Sequence, residues 1–312
     1  MANKEKNFVS AVVYVHNAEH RIERFLKMLI DVMESNFEHS EIICVNDFSE
    51  DTSLKMIKEV STIATGTSIS VINMSYFHGV ELAMNAGMDM SIGDFVFEFD
   101  NTNLDFDSMV IMEIYRHSLK GYDIVSASPK RKERFSSRLF YTVFAHYSDM
   151  QYKMTTESFR VLSRRVINRI SAMNKTVPYR KAVYANCGLK TDNIRYTVVE
   201  NKTGTFDHRE RNYRSGLAED SLILFTEMGY SFAKTMTFAM IFVSLFMIVY
   251  SVVIYATSNP VAGWTTTILF LSVAFFALFG ILTIVIKYLQ LLVDLVFKRK
   301  HYSFESIEKL TK

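Results

Sequence analysis

Only two cysteines, Cys44 and Cys187, occur in 312 residues, and neither belongs to a CxxC pair or a Cys/His ligand spacing. No disulfide framework or zinc pattern can be built from them, and both read as reduced, buried and chemically silent. The first turn after an apolar run lacks a P-loop or GxGxxG, which argues against an ATPase and a dinucleotide dehydrogenase. Internal repeats and low-complexity tracts are missing. The opening residues MANKEKNFVSAVVYV hold no apolar signal segment before the first β-branched run, so a membrane signal is expected later in the chain. Charge of one sign is lacking too, since 35 Lys and Arg against 33 Asp and Glu leave a net +2.

What is present is uneven. Two apolar stretches, Thr235–Ala256 and Trp264–Ile286, are each roughly 22 residues long, enough to cross a bilayer as a helix. The uncharged link Thr257–Gly263, with Pro260 and Gly263, suits a tight turn and implies an antiparallel hairpin. Arg209, Arg211, Arg214 and Lys234 before it, and Lys298-Arg299-Lys300 after it, put both flanks on the cytoplasmic face of an inner or plasma membrane. The expected organisation is a soluble domain over 1–230, a hairpin over 231–290 and a basic amphipathic tail over 291–312. Small residues in the spans, Gly263 and Ala277 to Gly280, leave room for a homo-oligomer. Lys130, Arg131, Lys132, Arg134 and Arg138 cluster, and Arg160, Arg164, Arg165 and Arg169 follow at helical spacing. Such clusters are commonly solvated faces, and beside anionic lipid they also suit headgroups or phosphate.

Along the soluble part, strand and helix patterns alternate: Phe8–Val15, Glu41–Val45, Ser68–Asn73 and Phe95–Phe99 as strands, with Glu19–Ser35, Thr52–Ser61 and Val80–Met90 as helices. That alternation implies right-handed βαβ units and a mainly parallel sheet, with ligands at the carboxyl ends of strands. Polar residues collect at those ends: His16-Asn17-Ala18-Glu19, Asn46 to Asp51, and Asp100 to Asp105. Asp51 suits a helix cap, whereas Asp47 directly follows its strand.

The runs VSAVVYVHNAEHRI, EIICVNDFSEDTS and HGVELAMNAGMDMSIGDFVFEFDNTNLD resemble family-2 glycosyltransferases of the GT-A fold. The closer resemblance is to polyprenyl-phosphate sugar transferases, typified by dolichol-phosphate mannose synthase and bactoprenol glucosyltransferase. SSRLFY, ESFRVLSRRVINRI, HRERNYRSG and the late hairpin extend the likeness over nearly the whole chain. The resemblance implies a Rossmann-like α/β domain that binds a nucleotide diphosphate sugar through Val12 to Asn17, with Val15, Asn17 and Glu19 among the contacts, and through Asp47, Gly79, Asn85 and Asp100. Asp47 would accept the imide N–H shared by uracil and guanine. Gly79 and Gly87 fall on family glycines where backbones approach closely.

Asp100 matches the first acid of the family's Asp-x-Asp element, which holds Mg²⁺ or Mn²⁺, but the second acid is replaced by Thr102. Asp105, or Glu98 if strand alternation holds, would have to complete the ligand set. In ESFRVLSRR, Ser158 stands where relatives carry an acid, with Glu157 beside it. Asp100, Glu157 and Ser158 are therefore the expected catalytic positions. Arg131, Arg134, Arg160 and Arg211 are the expected acceptor-phosphate ligands, since guanidinium binds phosphate bidentately. The implied function is an inverting transfer of a sugar, from a UDP-sugar ahead of a GDP-sugar, to undecaprenyl or another polyprenyl phosphate at the cytoplasmic leaflet. Its partners would be the donor, the lipid and the membrane, with no nucleic acid. Two alternatives stand beside it: a catalytically weakened homologue that binds nucleotide-sugar or a partner protein, and a transferase acting on a lipid-linked oligosaccharide. A processive synthase is disfavoured because no Gln-x-x-Arg-Trp element is found.

Overall fold

The computed structural model describes residues 4–130, 142, 156–172, 179–199, 263–297 and 302–311, with parts of 209–217 and 235–246. The expected alternation is present: β1 (Val9–Val15), α1 (Glu19–Asn36), β2 (Ser40–Asn46), α2 (Ser53–Ser61), β3 (Thr67–Met74), α3 (Val80–Met90) and β4 (Phe95–Phe99). After α4 (Met109–Ser118) come β5 (Ile124–Pro129), β6 (Phe159–Ser163), α5 (Arg164–Ala172), α6 (Arg180–Asn186) and β7 (Thr191–Tyr196). A long helix, α7 (Gly263–Phe297), and a last strand, β8 (Phe304–Lys309), complete the described elements.

These strands form one eight-stranded sheet in the order β7-β5-β6-β4-β1-β2-β3-β8. β1 pairs in parallel with both β2 and β4, and β2 with β3. β6 runs antiparallel between β4 and β5, and β8 antiparallel along β3. The sheet is thus α/β and mainly parallel, with two reversed strands. The central strands β1, β2 and β4 are apolar on both faces because each face is covered. On one side Ile22, Phe25, Leu26 and Leu29 of α1 pack on Val13, Cys44 and Phe97. On the other, Ala83, Met84 and Met88 of α3 pack on Val12, Val45 and Val96. Burying one such aliphatic side chain stabilises the fold by about 1.5–3 kcal/mol.

Both cysteines are buried and form no disulfide, and burial pushes the Cys44 thiol up to about 12. The reading of silent thiols agrees with this. Two expectations are revised. Arg160 is not on a helix with Arg164, Arg165 and Arg169, since it lies within β6, opposite Glu98. The stretch 291–312, expected as a basic amphipathic tail, divides instead: residues to Phe297 belong to α7, and Phe304–Lys309 joins the sheet, with Ile72 opposite Ile307. Lys58 pairs with Glu308 at 2.6 Å, and Asn73 Nδ2 donates to Ser306 Oγ and Glu308 Oε1.

The first expected span, Thr235–Ala256, and its link to the second lie mostly outside the described residues. Trp264–Ile286 falls within α7, whose 35 residues extend about 52 Å at 1.5 Å per residue. Counted over the described side chains alone, no helix is long and apolar enough to cross a membrane.

Gly87 allows α3 to sit tightly on the sheet: a Cβ there would lie 2.3 Å from Val12 Cγ1 and 2.8 Å from Val45 Cγ2. Both neighbours are themselves fully buried. Gly87→Ala should therefore cost about 1–3 kcal/mol by overpacking, read as a lower urea midpoint with an unchanged slope.

Candidate active site

The carboxyl ends of β1, β2, β3 and β4 share one edge of the sheet, as parallel pairing requires, and the antiparallel β6 begins there. At this edge the two loops after β1 and β2 are cross-braced. Asn17, at φ 44°, donates its N–H to Ser49 Oγ at 3.1 Å and accepts from Glu50 N–H at 2.9 Å. Glu19 accepts from Thr52 N–H at 3.1 Å and Thr52 Oγ1 at 2.7 Å. Asp51, expected as the helix cap, stands one residue before the N-cap Thr52 of α2 and accepts from Ser53 N–H and Glu19 N–H. The Val15 side chain is fully buried in the core, so only its backbone borders this rim. Asn85 is half-buried along α3.

Asp47 sits beneath the rim with no exposed surface. Its Oδ1 accepts from His78 N–H at 2.8 Å, and its Oδ2 from Gly79 N–H at 2.8 Å and the Tyr14 hydroxyl at 3.0 Å. Burial raises its pKa, only partly offset by these donors. The carboxylate faces inward and fastens the loop 76–79 to β2. Where the sequence suggests an acceptor for a base, the structure presents a loop anchor. Gly79 has φ +82°, and a Cβ there would lie 2.2 Å from the Tyr213 ring. Close approach thus explains this glycine, its partner being Tyr213. Arg209 stacks over Phe77, 5.4 Å from the ring centroid, so the segment carrying Arg209, Tyr213 and Arg214 covers this corner of the site.

The second centre lies at the end of β4. Glu98 and Asp100 face the same side, as alternation predicts, and both bind Arg160: Glu98 Oε2 at 2.7 Å and Asp100 Oδ2 at 3.1 Å. Glu157 Oε2 accepts from Arg160 Nε at 3.2 Å. Arg180, at the start of α6, donates to Asp100 Oδ1 and to the Val80 carbonyl. It also lies 3.6 Å from Glu81 and 3.5 Å from Glu98. Tyr184 donates to Glu98 Oε1 at 2.7 Å. Arg160 and Arg180 are only 1% and 2% exposed. Burial opposes their charge, but Asp100, Glu98, Glu157 and Glu81 more than compensate, and both guanidinium pKa values rise. Burial alone would raise the Asp100 pKa, yet Arg160, Arg180, Lys181 and Arg214 hold it well below the usual carboxylate range.

Arg160, expected to bind an acceptor phosphate, is therefore committed to three carboxylates inside the protein. Arg131, Arg134 and Arg211 lie outside the described residues. Ser158 bonds to the Tyr196 hydroxyl, which donates to Asp105 Oδ1 at 2.8 Å. Asp105, expected with Asp100 as a metal ligand, is buried and turned to Tyr196. Both Asp100 oxygens are engaged, Oδ2 by Arg160 and Oδ1 by Arg180, so a divalent ion could reach this carboxylate only by displacing a guanidinium. With Thr102 buried and uncharged, these residues do not fit a Mg²⁺ or Mn²⁺ site. Among the described residues no three His, Cys, Asp or Glu side chains assemble to hold a metal. Arg180 and Tyr184 gave no local signal in the sequence. Arg214 lay within HRERNYRSG without standing out from its neighbours.

Asp47→Asn should turn an amide N–H₂ toward the His78 or Gly79 N–H, costing about 1–3 kcal/mol in urea unfolding. Asp100 has a depressed folded pKa against about 3.9 unfolded, so its contribution is present above about pH 4 and is lost as pH falls through the folded value. Asp100→Asn should cost about 3 kcal/mol at pH 7, the low end for breaking a buried pair, because the side chain is 15% exposed. Its stability should also fall less steeply than the parent's between pH 5 and pH 3, as measured by denaturation at each pH.

Residues 10–171 match the family model described as Glycosyl transferase family 2. Over 188 residues the chain is 28% identical to an uncharacterized glycosyltransferase of Synechocystis sp., covering 58% of each. Over 202 residues it is 26% identical to a prophage bactoprenol glucosyl transferase homolog of Escherichia coli, covering 63% of this chain and 65% of that one. The alignments thus span less than two thirds of these relatives. A mannosyltransferase from Pyrobaculum calidifontis, solved with GDP-Man and Mn²⁺, shares the fold at a TM-score of 0.52 and 15% identity, covering 74% of this chain and 64% of that one. A family match across half the chain, on a sheet whose strand ends gather these polar groups, shows that the chain belongs to glycosyl transferase family 2.

Proposed function

We propose that the protein moves a hexose or N-acetylhexosamine from a nucleotide diphosphate sugar, uridine ahead of guanosine, to a polyprenyl phosphate such as undecaprenyl phosphate. It does so with inversion, at the cytoplasmic leaflet of the inner or plasma membrane. The observation that carries this reading is α7, which is uncharged from Gly263 to Ile286 and leaves Leu271, Phe275, Leu278, Leu282, Ile286 and Leu289 exposed. Apolar side chains exposed along several turns mark a surface made for lipid or a partner rather than for water. The name of the Escherichia coli relative supports a prenol-linked acceptor.

In this reaction an oxygen of the acceptor phosphate attacks the anomeric carbon. The bond from that carbon to the diphosphate breaks, and the nucleoside diphosphate leaves with the electron pair. The attacking phosphate is already ionised at neutral pH, so the step needs little help from a base. That fits Glu157, which is paired with Arg160, and it fits Ser158 in place of an acid. The rim at Asn17 and Glu19, the loop held by Asp47, and Asn85 would position the donor. Arg131, Arg134 and Arg211 would bind the acceptor phosphate near the interface, where a prenol phosphate must sit.

Incubating the purified protein with undecaprenyl phosphate and a panel of radiolabelled UDP- and GDP-sugars should move label into a solvent-extractable prenyl-phosphate sugar. Label appearing only on an added lipid-linked oligosaccharide would replace the acceptor assignment. Within that assay, Arg211→Ala should raise the apparent requirement for undecaprenyl phosphate by about tenfold, the scale of one charge-assisted contact. A larger change for the donor than for the acceptor would move Arg211 to the diphosphate.

A further inference from the structure

A glycosyltransferase must stabilise a diphosphate as it leaves, and two negative phosphates need cations close by. We propose that this chain supplies those cations itself, through Arg214 and Lys181 at the mouth of the site, and binds the donor diphosphate without a divalent ion. The inference deepens the function proposed above and rests only on its donor half.

The geometry at Asp100 carries it. The motif that would hold an ion retains one carboxylate, and both of its oxygens are taken, Oδ2 by Arg160 and Oδ1 by Arg180. The place of the second acid is Thr102, and the next acid, Asp105, accepts from the Tyr196 hydroxyl inside the protein. An ion here would have to displace Arg160 or Arg180 from the one carboxylate that the motif retains.

Cations instead gather around that carboxylate. Arg214 is fixed by two bonds to Glu210 Oε1, at 2.9 and 2.7 Å, and its Nη2 also approaches the Asp100 carbonyl oxygen at 3.5 Å. Its side chain is 32% exposed, so it borders solvent while held over the end of β4. The half-buried Lys181 follows Arg180 on α6 and lines a small cavity with Glu157, Arg160 and Tyr184. Guanidinium groups are suited to this task, because they are always charged and contact phosphate oxygens in pairs.

The test separates the β-phosphate from the rest of the nucleotide. UDP and UMP, and likewise GDP and GMP, are titrated calorimetrically into the purified full-length protein, once in excess EDTA and once in excess MnCl₂. For the base that binds, the diphosphate should bind at least about tenfold more tightly than the monophosphate in EDTA, and that ratio should change by less than about threefold in Mn²⁺. Arg214→Ala, at a partly exposed position, should lower the ratio by about tenfold in both buffers. Collapse of the ratio toward one in EDTA, with recovery in Mn²⁺, would overturn the inference and leave the donor assignment standing. This wild-type comparison holds even if the variant does not fold. If no nucleotide binds in either buffer, the donor half of the proposed function falls, and the cation inference falls with it.

Discussion

Two arginines kept from water hold the centre of this molecule together. Moving a charged side chain out of water costs several kcal/mol per ion, and the cost is recovered only where geometry and hydrogen bonding are nearly complete. Arg160 reaches that condition with Glu98, Asp100 and Glu157, and Arg180 approaches it with Asp100, Glu81 and Glu98. These groups come from β4, β6, α3 and α6, so a single electrostatic knot joins the two halves of the sheet across the antiparallel step between β4 and β6. Any movement of α6 relative to α3 would separate buried opposite charges. The arrangement favours a rigid site floor.

Above that floor, the rim is fixed by short polar ties rather than by packing. Asn17, Glu19 and Asp51 each bridge the loops after β1 and β2. Asp47 draws the loop 76–79 down onto the same edge, and Tyr213 presses against Gly79 from outside. The sheet gives the site its place, and these ties give the strand ends their order. Function resides in such a site rather than in the sheet, which many chemistries share.

The first half of the fold was readable because its signals are local. Ile22, Phe25, Leu26 and Leu29 repeat at helical spacing, and Phe95–Phe99 is a short apolar run bounded by turn residues. Arg160 was misplaced for the opposite reason. Its four-residue spacing to Arg164 suits a helix face equally well, and only its pairing with Glu98, 62 residues away, puts it in a strand. Asp47 and Asp51 stand in one short acidic loop, yet one is buried beneath a loop that folds over it and the other ties Ser53 N–H to Glu19 N–H. Nothing near residue 47 records that loop, because the N–H groups it accepts from belong to residues 78 and 79. The last strand was hidden in the same way, since FESIEK has little β character of its own and gains it from the edge of β3.

That last pairing bears on how the protein is made. β3 and β8 are separated by more than 200 residues, including α7, and Ile72 meets Ile307 only after the chain has been synthesised past both. Contacts so distant in sequence form late, because closing the loop costs entropy before any contact repays it. Until then β3 is an unpaired edge of a hydrophobic sheet, the kind of surface that recruits other chains. During synthesis the nascent protein therefore passes through a stage with an open sheet edge, and β8 closes it.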